Sequence, residues 1–126
     1  MSASGALPLP GEYTTDASIT VADFARLDIR VGRIVRAEAF PAARKPAIRL
    51  WIDFGPLGER QSSAQLTARY SPDSLVGRMI VAVMNLPPRR IAGVMSEVLV
   101  LGAVGPDGDV SLLSPDLPAE RGAPIG

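Results

Sequence analysis

The side chains best able to do chemistry in this sequence are arginines. Twelve of the thirteen basic residues are Arg, whose planar fork of donors suits phosphate oxygens and stacking on flat groups. Arg30, Arg44, Lys45, Arg49, Arg89 and Arg90 stand out because they fall on two expected strands and in two expected loops. Phosphate contacts from such residues supply most of the affinity for a nucleic acid. Each has a plainer explanation. A high-GC codon bias also enriches Arg, and a basic pair such as Arg44-Lys45 in a surface loop is usually just solvated. Residues 26–90 hold twelve basic and five acidic side chains, and the flanks are acidic, so that the 126-residue chain is neutral as a whole. A basic body with acidic ends suits a polyanionic partner, with weak, structure-selective binding expected from the zero net charge.

Other chemistries lack their parts. With no Cys and no His, thiol nucleophiles, disulfides, zinc sites of the usual type and imidazole bases are excluded. Asp28, Asp53 and Glu59 are isolated carboxylates without a partner of opposing role. The glycine-containing stretches 5–11 and 102–108 lack the lysine and the strand-to-helix setting of a phosphate loop. No enzymatic activity, metal or cofactor is expected. The chain has no long apolar run and no leader-like N-terminus, so a cytoplasmic protein without membrane insertion is expected.

The elements that must position these arginines read as β structure. Twelve Gly and twelve Pro among 126 residues, 47% of them apolar, favour short strands broken by turns around one core. Residues 1–18 read as an extended arm, and residues 19–126 as one domain. Thr20 and Asp23 form a capping box before a short helix at 21–26, with Val21, Phe24 and Leu27 on one face. A long strand follows at 28–40, alternating Ile29, Val31, Arg33, Val35 and Ala37 against Arg30, Gly32, Ile34, Arg36 and Glu38, with Gly32 placed to let it coil or bulge. In the second strand Ile48, Leu50, Ile52 and Phe54 face inward, and Arg49, Trp51 and Asp53 outward. Further strands are expected at 59–66, 79–85 and 97–104, with a helical turn started by Ser71-Pro72 before the fourth, a loop at 86–96, and a small strand at 110–113. Strand, strand, strand, helical turn, strand, strand is the order of the OB-fold, a five-stranded Greek-key barrel.

Five segments in order then resemble one family: Phe24 with Asp28-Ile-Arg-Val-Gly32, Pro41-Ala-Ala-Arg-Lys-Pro46, Ile52-Asp-Phe-Gly55, Ser62-Ser-Ala-Gln-Leu-Thr67, and Asn85-Leu-Pro-Pro-Arg-Arg-Ile-Ala-Gly-Val-Met-Ser-Glu97. They resemble the CsaA-type export-related chaperones of the tRNA-binding domain family, over most of the chain from Phe24 onward. The resemblance implies an OB-fold homodimer that binds tRNA and, in the CsaA branch, unfolded or presecretory polypeptides. It also brings forward Ser62, Gln65 and Asn85 as polar contacts to RNA, with Ser96 beside them. The plainer reading is that Asn85 orders the Leu86-Pro87-Pro88 loop and that Ser96 closes it. Trp51, the single tryptophan, can stack a base, meet a peptide or simply pack; the aromatic content of 5% favours recognition of shape and phosphate over stacking. For an apolar peptide groove Trp51, Leu86, Val94 and Met95 are the candidates, Met79 and Met84 reading as core. Leu86-Pro87-Pro88 can also bury at a dimer seam. Three readings follow: an RNA-binding module, a peptide-binding chaperone, and a dimeric scaffold. The proline-rich C-terminus should run extended along the barrel, with Ile125 buried.

Overall fold

The computed structural model describes residues 18–126; the expected arm lies outside the described residues except for Ser18. Its core is built on β2 (Ile48–Asp53). There Ile48, Leu50 and Ile52, followed by Phe54, are at most 1% exposed, because a strand turns every second side chain to the same face. On one side β2 pairs antiparallel with β3 (Glu59–Ala64), and on the other with β1 (Ile29–Ala39). The 3-10 turn Gly55–Leu57 makes the tight link from β2 to β3.

Long enough to serve two neighbours, β1 pairs through residues 29–33 with β4 (Met79–Val83) and through residues 33–39 with β2. β4 pairs in turn with β7 (Leu99–Val100), giving the sheet order β3-β2-β1-β4-β7. The barrel is brought close to closure where Glu97 N–H donates to the Gln61 carbonyl at 2.8 Å and the Ser62 hydroxyl to the Val98 carbonyl at 2.9 Å. Ile34, Leu66, Leu75, Ile80, Ala82 and Val98 fill the interior together with the β2 residues. The five-stranded, largely antiparallel barrel is the OB-fold that the strand order predicts.

Both short helices are set by their caps. In α1 (Val21–Ala25) the Thr20 hydroxyl accepts from Asp23 N–H and the Asp23 carboxylate from Thr20 N–H, each at 3.0 Å. The turn α2 (Pro72–Leu75) lies between β3 and β4, has proline in its first turn and buries Leu75.

Four expectations are corrected. The strict alternation through β1 fails, since the register skips between Ile34, opposite Ile52, and Arg36, opposite Trp51. Val35 is thus the extra residue of a bulge, and the bulge lies beyond Gly32. Gly32 and Ile34 face the core before it and Ala37 after it, so Arg36 and Glu38 are turned outward. The segment 86–96 is not merely a loop: β5 (Arg89–Ile91) and β6 (Val94–Ser96) form a hairpin. The expected strand 97–104 divides at Leu101, because its second part, β8 (Gly102–Val104), pairs with β9 (Val110–Leu112). Ile125 is 37% exposed, not buried.

The C-terminal segment does run extended along the barrel. Gly122 N–H donates to Val31 O at 2.7 Å, Val31 N–H to Ala123 O at 2.9 Å, and Ile125 N–H to Ile29 O at 2.9 Å, with Pro124 opposite Arg30. Arg121 fixes its start through an ion pair with Asp53 at 2.6 Å.

Gly32 is required by packing. A Cβ there would lie 2.6 Å from both Ile52 Cγ2 and Phe54 Cε1, in the filled interior of the barrel. Gly32→Ala is expected to cost about 1–3 kcal/mol by overpacking. The melting temperature should fall by roughly 5–15 °C, as measured by circular dichroism.

Candidate nucleic-acid interface

The inward set of β2 forces Arg49 and Trp51 to the outer face, and the bulge in β1 brings Arg36 and Glu38 to the same side. Across the strands, Trp51 lies between Arg36 and Gln61, and Arg49 between Glu38 and Ser63. The guanidinium carbons of Arg36 and Arg49 lie 4.3 and 4.6 Å from the centre of the Trp51 ring. Arg49 Nη2 also donates to Gln61 Oε1 at 2.7 Å, and Arg36 pairs with Glu38. Arg49 Nε is buried without a hydrogen-bond partner, an arrangement that costs about 1–3 kcal/mol. Cation–π contact, worth about 0.5–2 kcal/mol per pair, offsets this in part.

Next to this face is a cleft of about 940 Å³ lined by Arg44, Lys45, Ser63, Gln65, Arg89 and Arg90 among others. One wall is the loop at 41–46 between β1 and β2. Its base is closed by Phe40 N–H donating to Ala47 O at 3.1 Å, with both residues buried. The other wall is the β5–β6 hairpin, whose turn residues Ala92 and Gly93 both have positive φ, 49° and 84°. Such angles suit a two-residue hairpin turn. Ser63 and Gln65 come from the end of β3 and the residue after it. Among the described residues, Arg44, Lys45, Arg49, Arg89 and Arg90 take part in no salt bridge, so their charge is not cancelled by a neighbouring carboxylate.

Of the remaining candidates, several are used internally. Ser62 is 3% exposed and donates to Val98 O; burial removes it from any RNA contact. The Ser96 hydroxyl accepts from Ser63 N–H at 3.0 Å and lies 3.4 Å from the Ser62 hydroxyl, tying the hairpin to β3. Asn85 accepts from Asp28 N–H at 2.9 Å and donates to Arg26 O at 2.7 Å. It therefore orders the junction of α1 with β1, not the proline loop that follows it. Arg30 pairs with Asp28 at 2.6 Å and donates to Gly122 O at 3.1 Å. It lines a separate hollow with α1 and the C-terminal residues.

On the apolar side, Trp51 is only 9% exposed beneath its two arginines and has no open face. Leu86 and Met95 are exposed and Val94 half-buried, so the peptide candidates reduce to these three. Arg36 and Ser63 are the contributors that sequence reasoning missed. For Arg36 the available signal was the charged pair it makes with Glu38 two residues on, because an unbroken alternation that buries Gly32 and Ile34 would carry both charges into the core.

Comparison with known proteins gives the family of the chain. Residues 29–124 match the family described as "Putative tRNA binding domain". The chain is 45% identical over 114 residues to the methionine–tRNA ligase of Thiobacillus denitrificans, covering 86% of this chain but only 16% of that protein. Among solved structures, chaperone CsaA of Bacillus anthracis is 55% identical, with a TM-score of 0.84 over 87% of this chain and 100% of that one. A methionyl-tRNA-synthetase-related protein of Pyrococcus horikoshii is 28% identical, with a TM-score of 0.78 over 86% of this chain and 98% of that one. By sequence and by fold, this chain belongs to the tRNA-binding domain family.

Proposed function

We propose that the chain is a non-catalytic tRNA-binding module that grips structured RNA by its shape and its phosphates. The observation that carries this reading is the meeting of Arg44 and Lys45, from the loop at 41–46, with Arg89 and Arg90, from β5, in one cleft. Arg49 and Gln65 extend the same surface onto the outer face of the barrel. Base stacking contributes little, since Trp51, the aromatic side chain on that face among the described residues, is covered. A cytoplasmic location follows from this reading, and among the described residues no helix is long and apolar enough to cross a membrane.

We further propose that the module works as a homodimer. Outside the barrel, Ile29, Val81 and Val83 form a second apolar cluster with Leu101. Around it Phe24, Leu27, Leu99 and Ile125 are between 37% and 48% exposed, a surface that association of two copies would cover. Light scattering should give the mass of a dimer for the wild type and of a monomer for Phe24→Asp with Leu27→Asp. A wild type that stays monomeric at all concentrations overturns the dimer.

The RNA reading is tested by titrating labelled total tRNA across a salt series. With the four bases of the cleft each meeting a phosphate, affinity should fall at least roughly a hundredfold between about 50 and 200 mM salt. Arg44→Ala with Arg89→Ala should flatten the dependence of log affinity on log salt by about 2. By contrast, Asn85→Ala should lower the melting temperature, at a cost of about 1–2 kcal/mol, and leave tRNA affinity unchanged. The likeness to chaperone CsaA and the exposed Leu86 and Met95 favour a second reading, binding of extended polypeptide. An unfolded presecretory polypeptide bound regardless of salt, with no saturable tRNA binding at low salt, would establish that role in place of the first.

A further inference from the structure

We propose that Trp51 is a positioning residue: a flat rack that holds the guanidinium groups of Arg36 and Arg49 ready for RNA phosphates, not a platform for a base. The inference rests on the tRNA reading and deepens it, by extending the phosphate track from the cleft onto the outer face of β1, β2 and β3.

Three observations support it. First, both guanidinium groups lie over the one indole ring, at 4.3 and 4.6 Å from its centre, and the ring is 9% exposed, so a base has no face to stack on. Second, Arg49 is restrained from two directions. Gln61, opposite Trp51 on β3, accepts from Nη2, and the buried Nε has no partner, so what fixes the group is the ring and this one bond. An arginine held in this way loses little freedom when its remaining donors meet a phosphate. Third, Arg36 is still 60% exposed at its side chain and held to Glu38, a carboxylate that an RNA phosphate would have to displace. Ser63, opposite Arg49, also lines the basic cleft, which makes the two surfaces continuous.

The experiment compares binding of labelled total tRNA by wild type, Trp51→Leu, Trp51→Phe, Arg36→Lys, Arg49→Lys and the lysine variants in the Trp51→Leu background. Tryptophan emission is recorded in parallel wherever Trp51 is present. Trp51→Leu should lose roughly tenfold in affinity, with a shallower salt dependence by about one for each arginine set free. Trp51→Phe, which keeps an aromatic face, should recover most of the loss. Each lysine substitution should weaken binding in the wild type and change little once Trp51 is gone, because the residues act as a unit. Emission of the wild type should stay nearly constant as tRNA saturates.

Strong quenching of Trp51 by tRNA, with an unchanged salt dependence in Trp51→Leu, would overturn the rack in favour of base stacking. Wild-type affinity in Trp51→Leu, or fully additive losses, would also overturn it. Should Trp51→Leu fail to fold, Arg36→Lys and Arg49→Lys at the protein surface decide the matter together with the emission, since unweakened binding by both excludes the rack. Failure of the wild type to bind tRNA at low salt is a different result, which removes the RNA reading itself.

Discussion

The alternation of β2 is the constraint from which the rest of the molecule follows. A strand has a side-chain period of two, so once Ile48, Leu50 and Ile52 are committed to the interior, Arg49 and Trp51 have no freedom to be elsewhere than outside. A slip of one residue would drive a cation into the barrel and expose three large aliphatic side chains, each worth about 1.5–3 kcal/mol when buried. The register is therefore fixed by the core, and the functional face inherits that accuracy without any interaction of its own having to supply it. The bulge at Val35 performs the matching adjustment in β1. Without it, the phase that buries Gly32 and Ile34 would have carried Arg36 and Glu38 inward as well.

Charge in the folded chain is sorted more sharply than in the sequence. Several acidic residues are committed to local structural contacts: Asp23 to the helix cap, Asp28 to Arg30, Asp53 to Arg121 and the Gly55 N–H, Glu97 to the Gln61 N–H, Asp109 to Arg69. The bases of the cleft have no such partners among the described residues. A neutral protein can in this way present a local positive field to a polyanion. That field is screened within about 8 Å at physiological ionic strength, so only RNA that fits closely against the surface gains from it.

Much of this was legible in the sequence. The strand order and the inward face of β2 followed from apolar spacing, the caps of both helices from Thr20-Asp23 and Ser71-Pro72, and the loop cations from their turn-prone setting. What escaped had identifiable physical causes. A bulge carries no residue signature when the extra residue is an ordinary valine, so the outward turn of Arg36 was hidden. The 86–96 hairpin has Ala92 at a positive φ of 49°, where Asn or Asp commonly stands before Gly, which left its turn unmarked. Family-motif residues such as Ser62 and Asn85 carried two readings, contact with a ligand or support of the fold, because a motif does not distinguish side chains that touch a partner from those that hold the fold. The hydrogen bonds of these two show that they hold the fold.

The C-terminal segment has a bearing on solubility. Over residues 29–31, β1 has parted from β2, and on that side its N–H and C=O groups are met by Gly122, Ala123 and Ile125. Removing the last residues would leave a bare strand edge beside an apolar outer cluster, the kind of template on which chains pair with one another indefinitely. Proline at position 124, with no N–H to offer, makes the covering strand itself a poor template. The extended segment 122–125 thus covers an edge of β1 that would otherwise stand open to pairing between chains, a role independent of whatever the basic cleft binds.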